Sequence, residues 1–556
     1  MEIDHFSSTH DFVEEVVFQD KQHSFSGIQL LEEINNPLPK DNEHVPNMFN
    51  NQNHDQQQQE FEVGNFMSLL EDINLETNQE KNHHHKVPIP KPLEINIQKM
   101  PQYVSSLEIL RNHGSRFNRQ NTINTEASSN LEQHQKMSTE GIIRVAGARY
   151  TQYSSSHWSE NSCIQTHPYR FDLNGLSEEE NRDIELVQFL YVAAERVSLQ
   201  QYERAKKLLL YCQWNSSITG NCVQRIVFHF AQALQKRIDK ETGRVIKGPD
   251  KNEESELIDK MGSRKALLCH QKYPFNQVMQ FTGIQAIVEH VKFETKIHLI
   301  DFDIKSGVQC ITLMQALAER QDCMVEIFKV SAIGLNTCKN KIEETGKNLA
   351  SFAESLNLPF LYKPVLVEDM LEIKEDDFEI EKDEAVAVYS PYFLRTLISR
   401  QDSMENLMRV LRDIKPCIMI VLETEASLNS QSFVNRFVEA LFFYSAFFDM
   451  AETCTGEEDE CRMITEGILS AGIRNIVASE DRERTVRNVK IDVWRRFFAR
   501  YRMVETRLSE ACVYQAELVS KEFEHGKFCD VEKNGKCLIL GWKGTPMHSI
   551  SAWRFL

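Results

Sequence analysis

The loop Asp301-Phe302-Asp303-Ile304-Lys305-Ser306-Gly307 follows a short apolar run, Lys296–Ile300, and is the first place to look for chemistry. If that run is a strand of a doubly wound sheet, the loop lies beyond its carboxyl end, where such sheets bind ligands. A nucleotide cradle there uses several glycines, because backbone amides must close on the ligand. Asp303 and Lys305 occupy the first two glycine positions of a D-x-G-x-G-x-G loop, and only Gly307 remains. Side chains at those positions obstruct the amides, and Asp303 repels phosphate. Asp301 and Asp303 therefore read as residues that order the turn and the following helix, and no cofactor is expected.

The other reactive residue types do not assemble into a catalytic constellation. Ser390-Pro391-Tyr392-Phe393 loosely resembles the Asn-Pro-Pro-Tyr loop of amino-methyltransferases but lacks the leading amide or carboxylate and the second proline. His83, His84 and His85 adjoin one another in a polar stretch, without the fixed geometry and outer shell of a metal site. The 13 cysteines form no C-x-x-C pair, and the chain carries no H-E-x-x-H, G-x-S-x-G or G-x-x-x-x-G-K-[ST]. The cysteines read as buried small hydrophobes and scattered reduced thiols of a cytosolic or nuclear protein. Neither catalysis nor a metal is expected.

One stretch could meet a charged partner. Between Asp481 and Arg502, the cations Arg484, Arg487, Lys490, Arg495, Arg496 and Arg500 interleave with Trp494, Phe497, Phe498 and Tyr501. The aromatics would anchor a helix while the cations line a face, open to DNA phosphate, to a protein partner or to the chain's own carboxylates. The net charge of −19 repels polyanions, so bulk nucleic-acid binding is excluded and any DNA contact must be local. The opposite run, Glu368 to Glu384, sets ten carboxylates against Lys374 and Lys382 and reads as a solvated connecting loop.

These residues need elements to hold them. Ser177 and Glu180 have the spacing of a capping box, and Ile184, Val187, Tyr191 and Ala194 then recur on one helical face. Helices over about 200–213 and 222–238 complete an apolar group, whose faces serve a core or a partner. From Lys296 the pattern alternates: strands at 296–300, 325–333, 360–365, 385–389 and 417–422, with helices at 309–318, 350–356, 404–411 and 432–446. Short continuous apolar strands alternating with helices predict a mostly parallel sheet covered on both faces. Asn534-Gly535, flanked by Cys529–Glu532 and Lys536–Trp542, predicts an antiparallel hairpin at its edge.

Residues 1–170 differ in kind. They hold 12 of the 18 histidines amid Asn- and Gln-rich stretches, too little apolar content to offset ordering entropy, so a disordered tail is expected. Three islands, Phe12–Phe18, Ile28–Ile34 and Phe61–Leu75, interleave carboxylates with large apolar residues, either as partner-docking segments or as chance local helices. No apolar run reaches the ~18 residues of a membrane span, and the acidic N-terminus lacks a secretory signal pattern.

Several separated motifs, taken in order, resemble the plant GRAS family of transcriptional regulators. Ile297, His298, Leu299, Ile300 and Asp301 are similar to the family's VHIID core, with Pro274-Phe275 and Gln285-Ala286-Ile287 upstream. Phe433 to Leu441 with Tyr444-Ser445-Ala446, and the ending Gly541-Trp542 with Ser551, Ala552 and Trp553 of the SAW motif, continue the match. The likeness is of the SCARECROW-like kind, since the tail lacks an Asp-Glu-Leu-Leu-Ala motif. Glu480-Asp481 and Arg484-Thr485-Val486-Arg487 depart from the family pattern. The resemblance implies an α/β domain over 171–556: a Rossmann-like, methyltransferase-related core at 293–556 with inserted cap helices, and a mainly helical cap region at 171–292. It further implies a nuclear location and action through protein partners, namely other GRAS proteins, as homo- or heterodimers, and zinc-finger or other DNA-bound transcription factors, with DNA reached mainly indirectly. Use of the old cleft for S-adenosylmethionine or another ligand, and direct DNA binding through 482–502, are the alternative readings.

Overall fold

The near-continuous apolar runs become β1 (Lys296–Asp301), β2 (Ile327–Leu335), β3 (Phe360–Val367), β4 (Ala385–Pro391) and β5 (Ile418–Thr424) in the computed structural model. They pair in parallel in the order β3-β2-β1-β4-β5, the doubly wound order. The structure describes residues 137–156, 176–244, 269, 271–456 and 460–556. All lie in the unit Asn96–Leu556, and the other unit, Met1–Ile95, falls outside them.

Alternation along the strands explains why they read as unbroken apolar runs. Met419 and Val421 of β5, with Val386 and Val388 of β4, enter the core under α8 (Gln401–Ile414) and α11 (Ile491–Arg500). The intervening residues meet α5 (Pro274–His290) on the opposite face, where the helix approaches so closely that a Cβ at Gly283 would lie 3.1 Å from both Ile420 and Tyr389. Helices α6 (Val308–Ala318) and α7 (Lys339–Ser355) cross over between β1, β2 and β3.

An antiparallel set completes the sheet: β6 (Met503–Thr506), β7 (Cys529–Asn534), β8 (Cys537–Trp542) and β9 (Thr545–Phe555), with α12 (Glu510–Glu522) between β6 and β7. The expected hairpin joins β7 to β8, with Gly535 at φ 64°. β9 lies inside the sheet, pairing β5 along one edge and β8 then β6 along the other.

The remaining helices build a cap: α1 (Thr139–Ser156), α2 (Glu178–Ser198), α3 (Tyr202–Trp214), α4 (Cys222–Glu241), α9 (Phe433–Thr455) and α10 (Glu460–Val477). The Ser177 capping box forms as read, and Asn221 with Gln224 makes a second on α4. At the centre Arg225 of α4 is buried, its Nε 3.0 Å from Glu466 and its Nη2 2.6 Å from Glu452.

Three features depart from the sequence reading. Helix α1 lies inside the stretch expected as tail to residue 170; Ile143, Val145 and Ala146 are fully buried, so this short apolar face finds a core that local composition does not reveal. Within 171–292, α5 belongs to the sheet and not to the cap. The acidic run is exposed along most of its carboxylates, yet Met370, Ile373 and Phe378 anchor it in the core and the Glu384 side chain is buried. The histidine triplet and the three acidic-hydrophobic islands lie outside the described residues.

Candidate functional site

The carboxyl ends of β1, β4 and β5 form the place where a doubly wound sheet would take a ligand. Asp301, fully buried, closes it from the β1 side: Oδ1 accepts from the Asp303 amide at 2.9 Å and Oδ2 from Gln309 Nε2 at 2.8 Å. Burial pushes its carboxyl up to about 7. Phe302 turns inward and meets Phe393 edge to face, 5.3 Å between centroids. Asp303 and Lys305 pair with each other at 3.0 Å, and Thr345 of α7 ties down the Lys305 carbonyl. Gly307 starts α6 at φ 72°, where a Cβ would press on Leu349 and Thr345 at 3.1 Å. At the end of β2, where a dinucleotide fold places an acidic residue for ribose, stand Leu335 and Asn336. These residues do not fit a nucleotide or S-adenosylmethionine: the side chains of Asp303 and Lys305 stand where glycine amides would meet the ligand, Phe302 and Phe393 pack together in the core beside the turn, and the turn is bound to α7.

The neighbouring loop is spent in the same way. Tyr392, held at φ 56°, donates to Met279 Sδ at 2.9 Å and lies 2.9 Å from His548 Nδ1. Arg395 lies over its ring and bonds its carbonyl. Glu423, buried and raised to about 7 by desolvation, accepts from the Arg395 amide, while Glu425 accepts from the amide of Ile491 at 2.9 Å. Burial, with Arg395 adding to it, lowers His548 to about 3.

A second constellation has the order of a hydrolase triad. His298 Nε2 lies 2.8 Å from Ser331 Oγ, and Nδ1 lies 3.1 Å from Glu384 Oε2. Its chemistry is blocked by position. Ser331 and His298 are 0% exposed, on adjacent parallel strands with no approach for a substrate. Desolvation and then Lys329 and Lys363 push His298 down to about 3. The motif histidine thus ties β1 to β2 and to the end of the acidic run. Sequence reasoning missed this network because Ser331 and Glu384 lie 33 and 86 residues from His298.

The motif residues at the other end are also structural. Trp553 Nε1 donates to Ser551 Oγ at 2.9 Å, its ring lies 4.4 Å from Phe498, and Ala552 sits opposite Ile420. Trp542 Nε1 donates to Asp449 Oδ2 at 2.7 Å, joining β8 to cap helix α9.

The basic stretch does not form one face. Arg484 is buried and Arg487 partly so, both bonded to Asn429 Oδ1. Lys490 precedes α11 and acts on Glu425. Arg495 grips Glu505 through two bonds of 3.0 Å and also reaches Asp492 and Asn534. Arg496 and Arg500 are exposed on α11, Arg500 beside an open hollow of about 550 Å³ that Asp402, Glu405, Arg409 and Arg412 also line. Among the described residues no group of three or more His, Cys, Asp or Glu could hold a metal ion, and no helix is long and apolar enough to cross a membrane.

The GRAS domain family model matches residues 186–554. The DELLA protein GAI1 of Vitis vinifera is 29% identical over 383 residues, 68% of this chain and 63% of that protein. RGA2 of Brassica campestris is 29% identical, with 68% and 64% covered. The chain therefore spans slightly less than two thirds of the length of these relatives. The crystal structure of SCL7 in Oryza sativa superposes with a TM-score of 0.59 at 26% identity, covering 66% of this chain and 99% of that one. From α2 through the β1 motif to the tryptophan of β9 the match is continuous, and the chain belongs to the GRAS domain family.

Proposed function

We propose that this chain is a nuclear regulator of transcription that acts by docking onto other proteins rather than by catalysis. The observation that carries the reading is the internal use of the titratable groups gathered at the ligand end of the sheet: Asp301, Tyr392, Glu423 and His548 all bond within the chain. What is left for recognition is surface. Leu210 and Trp214, at i and i+4 on α3, are exposed, Trp214 to 80%. Aromatic anchors of this kind dominate protein interfaces. The partners are other GRAS proteins and DNA-bound factors such as zinc-finger proteins, and DNA is reached mainly through them: Arg495 is neutralised by Glu505, and Arg500 shares its hollow with carboxylates.

Affinity purification of the full chain from plant nuclei tests this. DNA-binding transcription factors or GRAS proteins are expected in the wild-type eluate, depleted at least fivefold by the pair Leu210→Ala and Trp214→Ala (~1 kcal/mol or more at an aromatic anchor). Recovery of no such factor would overturn the reading.

A further inference from the structure

We propose that Arg436, Arg484 and Arg487 form a binding site for a phosphoryl dianion, at the edge where the cap helix α9 begins. Three guanidinium groups converge there from two segments of the chain. Arg436, in the first turn of α9, is 1% exposed and donates to Glu480 and to the carbonyls of Ser430 and Gln431 at 2.8 and 3.0 Å. Arg484, 3% exposed, donates through Nη2 to Asn429 Oδ1, and Arg487 donates through Nη1 to the same oxygen at 3.1 Å.

The charges do not balance. Among the described residues Glu480 is the one carboxylate bonded to the trio, and it is shared with Arg237, which has Glu241 as a further partner. Asp481 is exposed and receives Arg487 through its backbone carbonyl. Three positive charges face one bonded carboxylate, with the exposed Asp481 acting on Arg484 only from a distance, so positive charge is in excess where removing it from water is costly. The strain registers on Arg484: burial, then Arg436 and Arg487, hold its guanidinium down to about 10.

Hydrogen-bonding capacity is left over in the same place. Nε and Nη1 of Arg484, Nε of Arg436 and Nε of Arg487 are buried and meet no acceptor among the described residues. A neutral amide oxygen, that of Asn429, receives two guanidinium groups. Water could take up those N–H groups but would leave the charge. A phosphoryl dianion does both, since it carries two charges and several acceptor oxygens that match planar guanidinium forks. Asn429 and Arg487 are only partly buried, so displacement of the Asn429 side chain opens the site from solvent. The arrangement is independent of the docking surface on α3.

The test is phosphate titration of the full chain at constant ionic strength, with chloride as the matched control, read by unfolding midpoint and by calorimetry. Inorganic phosphate should raise the midpoint saturably. Arg487→Gln should weaken binding at least tenfold. Asn429→Asp, which supplies a resident carboxylate without removing an arginine, should raise the midpoint in chloride and likewise weaken phosphate. Tighter binding of phosphoserine than of inorganic phosphate would assign the ligand to an ester, and the reverse order to free phosphate. Absence of a saturable response to both, or an undiminished response in both variants, would overturn the site.

Discussion

Asp301 and Glu423 are carboxyl groups that folding takes out of water, each raised to about 7 by burial from ordinary values near 4. Between about pH 4 and 7 the folded chain keeps protons at these sites that the unfolded chain has lost. Their contribution to stability is therefore full below pH 4 and declines as pH rises through 7. His298 and His548 work oppositely: lowered to about 3, they remain neutral where the unfolded chain binds protons, so stability falls as pH drops from 6.5 toward 3. The two slopes overlap and mask each other in the native chain. Replacing Asp301 by Asn removes one of them. In urea titrations at stepped pH, the stability of Asp301→Asn relative to wild type should rise from pH 4 to pH 7; a difference independent of pH would refute the assignment. Asp301 as a turn former was readable, because its partners Asp303 and Gln309 are within eight residues. Tyr392 with His548 was not, since 156 residues separate them and only the sheet brings them together.

Elements were legible wherever burial imposed a pattern. Strands β1, β2, β4 and β5 are buried along most of their length, so composition alone marked them, and the Asn534-Gly535 turn located the β7–β8 hairpin. Strand β9 carries His548, Ser549 and Ser551, polar residues that look misplaced in a core until the carbonyls of Glu423 and Val421 are seen to receive the two serines. Helix α10 buries Arg462 and Glu466 in an ion-paired cluster, which dilutes its apolar face. The Trp542 side chain helps to join the two layers at β8. Trp542→Phe keeps one aromatic ring but removes the pyrrole half of a buried indole and with it the bond to Asp449, leaving that carboxylate with Lys543. The loss should be about 1–3 kcal/mol by equilibrium denaturation. A change below ~0.3 kcal/mol would mean that the bond contributes nothing net to the junction.

At the scale of the molecule, the order of strands resembles that of ligand-binding folds while the residues at the crevice close it. Titration with S-adenosylmethionine or its demethylated product should leave the unfolding midpoint unchanged, and a saturable rise with either would show that Phe302 and Phe393 can part. The family likeness reached this architecture from motifs that turn out to be structural: His298, Trp542 and Trp553 hold strands and layers together. The placement of β9 has a genetic consequence. It is the last described strand in sequence yet lies between β5 and β8, so a premature stop just before Thr545 leaves both without their partner, and an earlier one after Thr424 still leaves β5 without its own. Such alleles should behave as complete losses, with the truncated product insoluble through its unpaired edges and cleared by proteolysis, and should not yield dominant fragments that retain half the activity.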